Sequence, residues 1–214
     1  MLYNSRMKLT RGEIASFCIV ALVFVLGWYF YPRLPELVAS HWNMNGQVNG
    51  YTTRFWGAYG MPVILAVLSL IFTLVPRIDP KRANIEKFRG HYDNFLVVFF
   101  LFMLYIYSLT LARNLGSVFN LAQYITPAIG VLFFNIGVLL SHSSQNWFIG
   151  IRTPWTLSSV DVWNKTHALG GKLFKLSGLL AACGFIFPAY SIFFILVPVL
   201  FSSILVVYYS YSIS

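Results

Sequence analysis

Acidic residues are scarce in this chain: there are six in 214 positions, against fifteen Lys and Arg, so only 10% of residues are charged and the formal net charge is +9. Soluble domains carry roughly 25% charged residues. With 58% of the chain hydrophobic, a soluble fold could not hide the apolar surface. The lack of carboxylates within the apolar runs argues against a pump or proton-coupled carrier, which needs ionisable groups at membrane depth. Cysteine is nearly absent too. Cys18 and Cys183 both lie in apolar runs, which leaves no disulfide framework and no CxxC redox pair and reads as lipid-depth or packing thiols. No HExxH, GxSxG, Walker A or GxGxxG occurs, so a non-enzyme without cofactor is expected. No basic block stands apart from the apolar runs, and the excess positive charge therefore points to lipid headgroups, not to direct nucleic-acid binding.

What the chain does contain is apolar runs that recur without a long polar block between them. Six are long enough, or nearly so, for the ~20 residues of a spanning helix. They fall at about 14–31, 55–75, 95–112, 122–140, 172–187 and 189–209. The pattern predicts an all-α polytopic membrane protein, a single membrane domain over 1–214 with short interfacial helices in its loops. The third run is the clearest, with twelve Leu, Ile, Val or Phe residues between Phe95 and Leu111. The fifth is short, with twelve residues between Lys175 and Pro188. Its small residues Ser177, Gly178, Ala181 and Ala182 suit close helix approach in lipid. Pro188 with Ser191 should turn the chain into the last run, where Pro198 predicts a kink.

Basic residues sort to alternate loops. Arg6, Lys8 and Arg11 precede the first run; Arg77, Lys81, Arg82, Lys87 and Arg89 follow the second; Arg152, Lys165, Lys172 and Lys175 follow the fourth. The opposite side has Arg33, Arg54 and Arg113, twelve against three. Because positive residues are retained on the cytoplasmic side, both termini are expected inside the plasma membrane. The first run's eighteen residues exceed the roughly 7–15 of a signal-peptide core, so it reads as a span.

Three loops are candidates for function. In the outer loop, 32–54, Pro35 suits the first turn of a short helix with Leu34, Leu37 and Val38 on its apolar side, and Asn45-Gly46 and Asn49-Gly50 are turn dipeptides. His41, Trp42 and Asn43, with Gly46 and Tyr51, then form a candidate recognition surface; the plainer reading is an aromatic belt with His41 as a helix cap. In the inner loop 76–94, Asp79 as N-cap, Pro80 at the first position and Gly90 as terminator describe a basic surface helix with Ile85, Phe88 and Tyr92 on one face. It could rest on the inner leaflet or hold a partner through Arg82, Phe88, Arg89 and His91. In the inner loop 141–171, Gly150 and Thr153-Pro154 break regular structure around Arg152. Ser158 with Asp161 reads as a capping box opening a helix that ends at Gly170-Gly171, with Trp163 and His167 on one face. Asn146, Gly150, Arg152, Thr153, Pro154, Trp155, Trp163 and His167 make up a candidate partner-binding loop, unless its tryptophans only anchor it at the interface and Arg152 pairs with lipid phosphate.

Two alternatives stay open. His91, His142 and His167 with Asp93 or Asp161 could form a metal site, although their spacing is not diagnostic. Asn135, expected to hydrogen-bond a neighbouring helix, could with the breaks at Pro127 and Pro198 serve a small-molecule or ion transporter.

Several stretches are familiar. Leu34-Pro-Glu-Leu-Val-Ala-Ser-His-Trp-Asn-Met-Asn-Gly-Gln-Val-Asn-Gly-Tyr51, Pro76-Arg-Ile-Asp-Pro80, Asn84-Ile-Glu-Lys-Phe-Arg-Gly-His-Tyr-Asp93, Asn146-Trp-Phe-Ile-Gly-Ile-Arg-Thr-Pro-Trp-Thr-Leu-Ser-Ser159 and Val162-Trp-Asn-Lys-Thr-His167 resemble segments of the SdpI immunity-protein family. The resemblance runs from about 30 to 175. It implies a bacterial multi-pass protein that protects its own cell from a secreted cannibalism toxin. It also implies a signalling role, in which toxin engagement lets the protein hold a cytoplasmic ArsR-type repressor at the membrane. Some members of that family have no known toxin partner.

Overall fold

A computed structural model describes residues 8–43 and 46–214; Arg6 of the charge count and Asn45 of the expected turn lie outside the described residues. The first helix, α1 (Arg11–Phe30), starts where Thr10 accepts from the Glu13 amide and the Glu13 carboxylate accepts from the Thr10 amide. A 3-10 turn (Tyr31–Arg33) leads to strands β1 (Leu37–Trp42) and β2 (Val48–Thr53), followed by α2 (Arg54–Ile78), the short α3 (Arg82–Glu86) and α4 (Arg89–Asn114). The second half holds α5 (Leu121–His142), the short α6 (Pro154–Ser158), α7 (Val160–Cys183), a 3-10 turn (Pro188–Tyr190) and α8 (Ser191–Ser212).

Among the described residues, five helices (α1, α2, α4, α5 and α8) are long and apolar enough to cross a membrane. The chain is an all-α polytopic membrane protein with one small hairpin. The expected fifth run, 172–187, is not a separate segment. Its residues form the second half of α7, which ends at Cys183 and whose first half carries Asp161, Asn164, Lys165 and His167. That polar half keeps α7 from qualifying on composition. By geometry α7 lies antiparallel along α5: Gly171 packs on Ser141 and Gly137, Gly178 on Gly130, and Gly184 on Thr126. Residues 171–184 therefore sit at the depth of 126–141. Gly170-Gly171 does not end the helix as expected, and Gly171 serves close contact instead: a Cβ on it would collide with Ser141 Oγ and lie 2.9 Å from the Gly137 carbonyl oxygen, and one on Gly137 would lie 2.6 Å from the Lys175 amide nitrogen. Such backbone contact is how helices associate in lipid, where no hydrophobic force separates them from the solvent. α8 closes this half, with Ser177 and Ser202 hydroxyls 3.0 Å apart.

The other half packs α1 against α2 and α4 around Val23, Leu65, Phe100 and Tyr107. Tyr107 donates to the Ala58 carbonyl at 2.6 Å, beside Gly27. A second apolar cluster joins the halves at the end where α1 begins: Ile85, Phe88, Tyr92 and Leu96 meet Leu139 and Ile149. This corrects the expected surface helix, since Ile85, Phe88 and Tyr92 are at most 2% exposed. Asp79 is the C-cap of α2, Lys81 precedes α3, and Gly90 is inside α4. Asn135 is half-buried and makes no hydrogen bond to a neighbouring helix among the described residues.

Candidate functional site

The outer segment is a β-hairpin, not a helix. β1 pairs antiparallel with β2, Leu37 opposite Thr53 and Trp42 opposite Val48, with irregular register around His41. Thr, Val and Tyr fit a pleated edge better than a helix turn, and Val38 seats on the bare backbone of Gly57. The Asn43 side chain accepts from the Gln47 amide at 3.0 Å and its backbone carbonyl accepts from Gly46, closing the turn. α4 supplies the fastening. The Asn114 amide accepts from Ala39 N–H at 2.7 Å and donates to Ala39 C=O at 3.0 Å, acting as a third strand one residue long. His41 is exposed and donates to Asn49 Oδ1, Tyr51 is 62% exposed, and Trp42 and Asn43 are half-buried at the rim of a cavity. The expected outer residues thus come together on one rigid element.

Beneath the hairpin, on the α4–α5 seam and between α2 and α8, lies a cavity of about 510 Å³. Its walls are mainly apolar, among them Met61, Ile106, Ile125, Ile129 and Ile195. The Trp42 indole Nε1 is buried at its edge with no hydrogen-bond partner among the described residues.

At the opposite end, a group that the sequence reading missed ties α1, α2 and α4 together. The Glu13 carboxylate is fully buried and accepts from both terminal guanidinium nitrogens of Arg77, Nη1 and Nη2, and from Arg89 at 2.6 Å. Arg89 also pairs with Asp93 at 3.0 Å, and Asp93 accepts from the Thr10 hydroxyl. Two cations and two carboxylates balance, so the cluster is structural, and Arg89 is occupied internally instead of facing a partner. The signal available in the sequence was the Thr10-x-x-Glu13 capping pattern; nothing in it named the arginines 64 and 76 positions away.

The loop from Ser143 to Ser159 is docked by its polar side chains. Gln145 donates to the Thr156 and Leu157 carbonyls and accepts from Lys81, Asn146 accepts from the Phe148 and Ile149 amides, and Asp79 accepts from the Trp147 amide at 2.9 Å. Thr153 caps α6 with Thr156 and meets Ser210 of α8. Ser159, not Ser158, caps α7.

Trp163 and His167 do share a face, but that face points inward. Their rings stack 3.9 Å apart at 17°, and the residues are 0% and 2% exposed. The His167 Nδ1 proton goes to the Trp163 carbonyl at 2.8 Å and Nε2 accepts from Ile151 N–H at 2.9 Å, which fixes the neutral ring. Burial pushes its pKa down to about 4. Gly150 passes over this pair with φ +123°, and a Cβ there would lie 2.5 Å from His167 Nε2. Glycine alone fits both conditions.

Of the expected inner residues, Phe88, Asn146, Thr153, Trp163 and His167 are buried supports. Arg82, Arg152 and Pro154 are exposed, as are Trp147 and Phe148, while Gly150 and Trp155 are half-buried, Trp155 against Tyr211. Arg152 donates to the Trp147 carbonyl at 2.9 Å. His91 stacks on His142 at 3.7 Å, His167 stacks on Trp163 instead, and no group of three metal-ligating side chains forms among the described residues.

Residues 143–212 match the SdpI/YfhL protein family, and residues 18–66 match a domain of unknown function, DUF1648. The chain is 28% identical over 184 residues to the immunity protein SdpI of Bacillus subtilis strain 168, which covers 86% of this chain and 83% of that relative. No solved structure matches.

Proposed function

We propose that this chain, whose residues 143–212 match the SdpI/YfhL protein family, is an immunity protein, protecting the cell that makes it against a secreted toxin. The observation that carries this reading is the 28% identity, over most of both chains, to a protein named for immunity. The hairpin, with His41, Trp42, Asn43, Gly46 and Tyr51, is the toxin-facing surface, and the protein acts by binding, with no chemistry of its own. The twelve-to-three sorting of Lys and Arg supports an orientation with the hairpin outside, both termini in the cytoplasm and α7 as a sixth crossing beside α5.

On the inner face, the exposed Arg82, Arg152, Pro154, Trp147 and Phe148 are the patch assigned to hold a cytoplasmic ArsR-type repressor when toxin is engaged. Arg152 is its charged group held by its own loop, through the Trp147 carbonyl. Expression of the chain in a toxin-sensitive strain tests the first claim: survival should rise, and unchanged killing by every cognate candidate toxin would sink it. Arg152→Ala should abolish recruitment of the repressor while the protein still inserts. Recruitment that persists would remove this patch from the proposal.

A further inference from the structure

The cavity beneath the hairpin is rimmed by His41, Trp42, Asn43 and Gly46 of the toxin-facing surface proposed above, and its interior chemistry specifies an occupant of its own. It starts at the helix ends and descends along α5 from Leu121 to Ile129, eight residue steps or roughly 12 Å at 1.5 Å per residue. One leaflet of a hydrocarbon core is about 15 Å deep, half of the ~30 Å whole. The space is therefore as deep as one leaflet and lies at its headgroup boundary. α2 and α8 wall it on opposite sides, with Trp56, 56% exposed, at the edge.

Polar groups inside it are few and mostly engaged. Thr110 and Thr126 donate their hydroxyl protons to carbonyls of their own helices, Ile106 and Ala122. The Trp42 Nε1–H is buried without an acceptor among the described residues, and leaving such a donor unmet costs about 1–3 kcal/mol. An extended peptide segment entering here would bring a row of backbone N–H and C=O groups that these walls cannot satisfy. An acyl chain brings none, and its ester carbonyl supplies one acceptor at the chain's upper end.

We propose that this cavity is a binding site for one membrane phospholipid, its acyl chain lying between α2 and α8 along the α4–α5 seam and its ester carbonyl accepting from Trp42 Nε1. The site stands independently of the immunity reading, because it is measured with no toxin present.

The test uses the full chain, delipidated in mild detergent and titrated with palmitoyl-oleoyl phosphatidylglycerol or with its diether analogue, which lacks the ester carbonyls, with bound lipid counted by native mass spectrometry. The wild type should retain one diester lipid and bind the diether analogue about fivefold more weakly, the worth of one hydrogen bond. Trp42→Phe should bind both lipids equally, at the weaker level. Ala122→Phe, which fills the cavity, should hold neither. Equal affinity of the wild type for the two lipids, discrimination that survives in Trp42→Phe, or a retained lipid in Ala122→Phe would each overturn the proposal. Ala122 is not among the toxin-facing residues and lipid retention is read without toxin, whereas survival is read with the wild type, so the lipid site and the immunity reading can fail separately.

Discussion

At the end where α1 begins, the two three-helix halves meet through packed side chains: Ile85, Phe88 and Tyr92 press on Leu139 and Ile149, and the loop after α5 is tied to α2 and α3 through Asp79, Lys81 and Asn84. At the hairpin end the same α4–α5 seam opens into about 510 Å³ of mainly apolar space. One sequence thus builds a closed junction and a gapped one, and the difference lies in what covers each end. The closed end has a loop whose polar side chains turn inward and bond backbone. The gapped end has a two-stranded ribbon held by one asparagine and one valine, which leaves room below it.

Breaking the closed junction should have the largest effect. Phe88→Ala removes a ring that is 1% exposed from the centre of the second cluster, and should lower stability by about 3–5 kcal/mol, measured as a fall in the thermal unfolding midpoint in detergent. A loss under about 1 kcal/mol would mean that the halves do not depend on this contact.

Acid should loosen the same end through His167. Its pKa in the fold is about 4 against the ordinary 6.5, so as pH falls the unfolded chain takes up the proton first. Stability is complete above about 6.5 and declines towards about 4, by about 3 kcal/mol at the limit. Hydrogen exchange at the Ile151 amide should rise across this window in the wild type. His167→Gln, which has no titrating group, should exchange at a pH-independent level once intrinsic exchange rates are divided out. A wild-type amide whose protection stays level across the window would show that the ring is not held neutral.

The smallest effect belongs to the hairpin. Asn114→Ala leaves the Ala39 N–H and C=O without partners and should cost about 1–2 kcal/mol. It should raise exchange at the Ala39 amide while the closed end keeps its protection. A matching rise at Ile151 would erase the contrast between the ends.

Much of this architecture could be read from the residues, and the parts that could not share a cause. The apolar runs that became α1, α2, α4, α5 and α8 were legible because lipid demands long uninterrupted helices. The hairpin was misread because Pro35 followed by Leu37 and Val38 fits a helix start as well as a strand. The alternation in β2 competes weakly with turn residues such as Asn49 and Gly50. Gly170 and Gly171 looked like terminators because a glycine allows both a helix end and a close approach, and only the neighbouring α5 decides between them. The expected surface residues Phe88, Asn146, Trp163 and His167 proved to be inward supports for the same reason. A residue's type announces that it is special, while its direction depends on partners tens of positions away. Glu13 is the clearest case, visible as a helix cap and invisible as the anchor for Arg77 and Arg89.

α4 reaches both ends. Asp93 near its start is bonded to Thr10 and Arg89, and Asn114 at its finish holds the hairpin. Its 26 residues make a rod of about 39 Å at 1.5 Å per residue. A helix in lipid does not stretch, since every backbone bond is internal. A force that slides or turns Asn114 must therefore bend α4 or carry the displacement to Asp93, where an ionic fastening on α1 registers it as strain.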